Sequence, residues 1–165
     1  MLGFDPIDEA GRQWAAHFDA RFVSPMRAIT SVMRVQQVWL ARLNEALAPH
    51  GLTFARYEAL MLLYFSRAGA LPLGKIGARL QVHPASVTNL IDGLERDRLV
   101  QRTPHPSDRR TTLARITQAG RERAQAATTE LHAIRFGTDL PESELDTITE
   151  ILRAARVEAG DIRGE

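Results

Sequence analysis

Ser86, Thr88 and Asn89 fall within four positions, beginning two residues after Pro84. Small hydroxyl and amide side chains offered together from the start of one helix are of the kind that meet base edges in a major groove. The plainer alternative is an ordinary solvated helix start. Cations flank them: Lys75 and Arg79 before, Arg102, Arg109, Arg110 and Arg115 after. Such groups neutralise phosphate, and an arginine-bearing hairpin tip suits the negative potential of a minor groove. A solvated turn whose arginines pair with Asp108 is the alternative there. Residues 72–123 hold ten Lys/Arg against five Asp/Glu, and residues 139–165 hold three arginines against eight acids, in a chain of net charge +1. Charge sorted in this way is expected of a phosphate-facing module on a neutral scaffold.

Other chemistries find little footing. The chain has no cysteine, which removes disulfides and thiolate catalysis and fits a reducing cytoplasm. His17, His50, His83, His105 and His132 are scattered, with no i, i+4 metal spacing, and no Gly-x-Ser-x-Gly turn occurs. Gly69 to Lys75 has the spacing of a phosphate-binding loop, but Ile76 follows where a magnesium-binding hydroxyl would stand. No enzyme activity, metal or cofactor is expected. No apolar run approaches the roughly 20 residues of a membrane span, so no membrane partner is expected either.

The elements that must position these groups are legible from periodicity. Leu73, Ile76 and Leu80 share one face of a short helix. After a break at Gln81-Val82, His83 caps a second helix with Pro84 at its first position and Val87, Ile91 and Leu94 as its buried stripe. Residues 99–102 and 111–116 are β-prone runs flanking a polar, proline-containing tip. The sum is helix, turn, helix and a two-stranded wing.

The run Leu99-Val100-Gln101-Arg102 to Asp108-Arg109-Arg110, then Leu113, Ile116-Thr117 and Gly120-Arg121, resembles the MarR-type winged-helix transcription regulators. Ser86-Val87-Thr88 and Ile91-Asp92-Gly93-Leu94-Glu95 resemble that family's reading helix, and the likeness spans roughly residues 27–157. The resemblance implies a homodimer on a pseudo-palindromic operator in double-stranded DNA, usually a repressor released by a small-molecule effector. It also implies an ion pair between Asp92 and Arg110, leaving Arg109 for the minor groove. Two departures stand out. Gly93 occupies a position where the family carries a basic residue, at about 1 kcal/mol relative to Ala in a helix and with the loss of a phosphate contact. Asp97-Arg98 occupy the corner where the family has glycine, so one of them must turn with positive φ, or the turn is built differently.

The expected fold is mainly α with a small two-stranded β wing. Residues 1–52 and 117–165 form a helical dimerisation lobe, and residues 53–116 the winged helix-turn-helix. A long helix from about Val23 to Ala48 carries a heptad stripe, Phe22, Met26, Ile29, Met33, Gln36, Leu40, Leu43 and Leu47, wide enough to need a second chain. Thr53 caps the next helix, and Thr117 the one after the wing. Leu145, Ile148, Leu152 and Ala155 form the stripe of a last helix. An N-terminal helix, Asp8 to Arg21, carries Trp14 and Phe18 one turn apart and resembles the extension of the branch responding to urate or small polycarboxylates. Trp14, His17, Arg27, Arg34, Tyr57 and Tyr64 are therefore candidate effector contacts; the alternative is that they cover the dimer groove, pair locally or lie in the core. A winged helix used only for protein contacts, or a ligand-binding protein without DNA, remain the competing functions.

Overall fold

The computed structural model describes residues 2–108 and 110–164; Arg109, singled out above for the minor groove, lies outside them. The elements run α1 (Pro6–His17), α2 (Val23–Leu47), α3 (Phe54–Phe65), β1 (Ala70–Pro72), α4 (Leu73–Leu80), α5 (Pro84–Arg96), β2 (Val100–Pro104), β3 (Thr112–Ile116), α6 (Gln118–Ala133) and α7 (Glu142–Glu158). Helix starts follow their caps. The Asp5 carboxylate accepts from the Ile7 N–H at 2.8 Å, the His83 ring from Ala85 at 3.2 Å, and the Thr117 hydroxyl from Gly120 at 3.0 Å. The N-terminal helix ends at His17, four residues short of the expected Arg21; a separate turn over Ala20–Phe22 leads into α2.

The wing has a third strand. β3 lies centrally, antiparallel to β2 on one side and to β1 on the other, with Arg102 opposite Ala114 and Leu71 opposite Ala114 on the far edge. The corner before β2 contains the left-handed residue, Arg98 at φ +60°. Leu99 N–H reaches Leu94 C=O at 2.9 Å, and Arg98 N–H reaches Glu95 C=O at 2.9 Å. This is a Schellman ending, completed by buried Leu94 and Leu99. The missing glycine is thus replaced by an arginine in the same backbone conformation, at the cost of about 1 kcal/mol expected for a β-carbon there.

The core is made by the C-terminal end of α2, by α3, α4 and α5, by the sheet and by α6, with Leu47, Leu60, Leu63, Ile76, Ile91, Leu94 and Leu131 fully enclosed. The two ends of the chain differ. α7 buries none of its residues, Phe22 in the turn before α2 is 51% exposed, and α2 leaves Ile29 66% and Met33 58% exposed. The heptad stripe predicted for α2 is buried at Leu43 and Leu47 but bare at Ile29 and Met33 within a single chain.

Candidate nucleic-acid interface

α5 is a helix with two opposite sides. Val87, Ile91 and Leu94 are buried against α3 and α4, while Pro84, Ser86, Thr88 and Asn89 are exposed at its N-terminal end. The apolar stripe fixes the helix, and that fixing turns the polar side chains outward. Thr88 also donates to the Pro84 carbonyl at 3.3 Å, a bond internal to the helix that leaves its oxygen free to accept. Lys75 and Arg79 are exposed on α4.

Arg102 joins the wing to this helix. Its backbone N–H donates to Glu95 at 2.8 Å, and its guanidinium pairs with Glu95 and with Asp92, the latter at 2.5 Å. A further N–H points at the Thr88 carbonyl at 3.5 Å. One arginine on β2 therefore touches three successive turns of α5. The bond from the Arg102 backbone, then its side chain, holds the Glu95 carboxyl below the usual carboxylate range. Burial opposes the charge on Arg102, but the two carboxylates more than offset it and leave its pKa above the ordinary value.

This pairing departs from one expectation. Asp92 pairs with Arg102, not Arg110, because Arg102 sits on the strand nearest α5 whereas Arg110 stands at the hairpin tip. Arg102, expected as a contact on DNA, is also engaged by three acceptors of α5 and braces the wing against that helix. At the tip the Asp108 carboxylate accepts from the Thr111 hydroxyl at 2.6 Å and the Arg110 N–H at 3.0 Å, which hold it below its ordinary pKa. It thus shapes the turn through the Arg110 backbone, and the Arg110 guanidinium is exposed and has no ion pair among the described residues. Arg115 lies on β3 and spends one N–H on the Ala68 carbonyl at 3.0 Å.

The candidate effector residues do not converge. Trp14 packs on Phe18 with ring centroids 5.0 Å apart, and His17 bonds to the Gln13 carbonyl at 2.8 Å. Arg27 pairs with Asp8 and ties α1 to α2, and Arg34 donates to Gln37 at 3.3 Å. The Tyr64 hydroxyl accepts from Gln125 at 2.9 Å. Tyr57 is different: nearly buried, with its hydroxyl 2.9 Å from Thr128 Oγ1, it lines a cleft of about 430 Å³ between α3, α4 and α6. Phe54, Met61, Phe65 and Phe136 supply apolar walls, and Glu58, Arg79 and His132 its charged or titratable groups. Burial raises the Glu58 pKa. Sequence periodicity could not find this cleft, because its walls come from three separate helices, α6 being remote in the chain from α3 and α4.

The MarR family model matches residues 52–112. Over 78 residues the chain is 37% identical to the HTH-type transcriptional regulator MhqR of Bacillus subtilis (strain 168), covering 47% of this chain and 52% of that protein. The chain thus spans about half the length of this curated relative. Sco5413, a MarR family transcriptional regulator from Streptomyces coelicolor, is 50% identical and superposes with a TM-score of 0.79 over 86% of this chain and 99% of its own. CouR from Rhodococcus jostii RHA1, solved bound to p-coumaroyl-CoA, is 29% identical with a TM-score of 0.67, over 81% of this chain and 92% of its own.

Proposed function

The chain belongs to the MarR family of transcriptional regulators, and from that premise we propose that it acts in the cytoplasm as a homodimeric, effector-released repressor on double-stranded DNA. The observation that carries the reading is the Arg102 brace: it fixes a wing rigidly against a helix whose outer side is Pro84, Ser86, Thr88 and Asn89. α5 is the element for the major groove and Arg110 on the wing tip the cation for the flanking minor groove, with Arg109 its neighbour in sequence. Lys75 and Arg115 suit phosphates. Arg79 is shared between the exposed face of α4 and the rim of the cleft.

The dimer reading is supported by apolar surface with nothing to cover it in one chain. Ile151 on α7 is 63% exposed, alongside the bare stripe of α2. Two copies would hold their α5 helices about one DNA turn, roughly 34 Å, apart. The cleft beside Tyr57 suits an aromatic or anionic effector, and the acyl-CoA bound by CouR supports a ligand of that kind. Such an effector must bind the DNA-competent and released arrangements unequally, since equal affinity shifts nothing. Selection of bound sequences from a random duplex pool tests the reading. Enrichment of an inverted repeat is expected; a pool that returns unenriched contradicts it.

A further inference from the structure

Gly93 is buried although it lies on the outward side of α5, seven residues after exposed Ser86 and four after exposed Asn89. What covers it is Arg56, a residue of α3. A β-carbon built on Gly93 would stand 2.7 Å from the Arg56 Cζ and 2.8 Å from its Nε, closer than real β-carbons approach other atoms. The guanidinium therefore rests on bare helix backbone, in space that any side chain at position 93 would take. Its ion-pair partner among the described residues is Asp97, at 3.5 Å, and a quarter of the Arg56 side chain stays exposed. At that length and exposure the pair is weak.

The row of exposed Ser86 and Asn89 thus ends at covered Gly93, in a cation lent by a neighbouring helix. A guanidinium seated over the helix backbone, with one carboxylate at 3.5 Å and a quarter of its side chain exposed, is in place before any ligand arrives. It has N–H groups to spare, and Arg is suited to bidentate phosphate recognition. We infer that Arg56 is a DNA-backbone contact of this protein, delivered across Gly93 to the C-terminal end of the reading helix. The inference rests on the duplex-binding reading above. Gly93 is the residue that admits the contact, and Asp97 the counterion that holds the guanidinium until a phosphate joins it.

The test is a salt titration of binding to a fluorescent random-sequence duplex. The Arg56→Gln variant keeps much of the stem over Gly93 and removes the charge. Each lost phosphate contact lowers the magnitude of the log–log slope by about 0.9, hence by about 1.8 for a dimer altered on both chains. A second variant, Arg56→Ala with Gly93→Lys, empties the seat and supplies a cation from α5 itself; it should recover the slope. Circular dichroism melts of both variants establish that they fold. A slope unchanged in Arg56→Gln overturns the inference, as does a fall that the position-93 lysine does not restore, which would mark a packing role instead. If the unaltered protein itself shows no salt dependence, it is the duplex reading that fails.

Discussion

The reading head and the chain ends of this molecule are built from similar amphipathic helices but stand in opposite states. In the head, α4 and α5 have every large apolar residue of their stripes at least partly covered by their own chain. In α7, with a comparable stripe, nothing is buried. The head is closed by its own chain, whereas the ends keep apolar surface that the proposed dimer would cover. The head exposes Phe65, a wall of the cleft, and Val82, while the ends leave Ile29, Met33 and Ile151 exposed for the proposed partner chain.

The largest test of that contrast is to spoil the bare surface. Ile151→Asp with Leu152→Asp should convert the protein to a monomer in sedimentation while leaving the head folded. With the two heads no longer linked, affinity for a two-site duplex should fall by about 100-fold or more. Spoiling the head instead should cost fold stability. Leu94→Ala removes a fully enclosed side chain and is expected to lower unfolding free energy by about 2–5 kcal/mol in urea titrations.

A smaller effect separates placement from stability inside the head. Arg102→Ala leaves Asp92 and Glu95 without their shared cation. Duplex affinity should fall about tenfold, in keeping with the 1.5–3 kcal/mol typical of hydrogen bonds to charged groups, less solvent screening. The smallest effects are in pH. Glu95 has a depressed pKa, so its contribution is present above the ordinary glutamate value near 4.3 and disappears as pH falls through the lower folded value. Glu95→Gln should flatten that acid limb of the stability curve. Glu58 runs the other way. Its raised pKa means that the charged form is disfavoured in the fold, so Glu58→Gln should raise the melting temperature slightly at neutral pH. That gain should vanish once pH falls below the ordinary glutamate value.

The head was more legible in the sequence than its internal bonds. Pro84 after His83, the stripe Val87-Ile91-Leu94 and the corner at Asp97-Arg98 are signals held within one element, and each appears as read. The partner of Asp92 was not readable, since Arg102 and Arg110 both follow it and only the placement of β2 against α5 decides between them. β1 escaped because three residues show no alternation. Arg56 escaped because the only trace of its position is an absence, the lack of a side chain at Gly93, which propensity alone records as a small helix penalty. Within the lobe, the stripes of α2 and α7 were visible, while the cleft beside Tyr57 depended on packing among three helices.

The most direct trial of the account is the affinity of the unaltered protein for random duplex DNA, measured as salt is raised from about 50 to 200 mM. Several phosphate contacts per dimer predict a steep linear fall of log affinity with log salt, on the order of 1,000-fold for six or more contacts. A flat line would contradict the duplex-gripping head on which everything else depends.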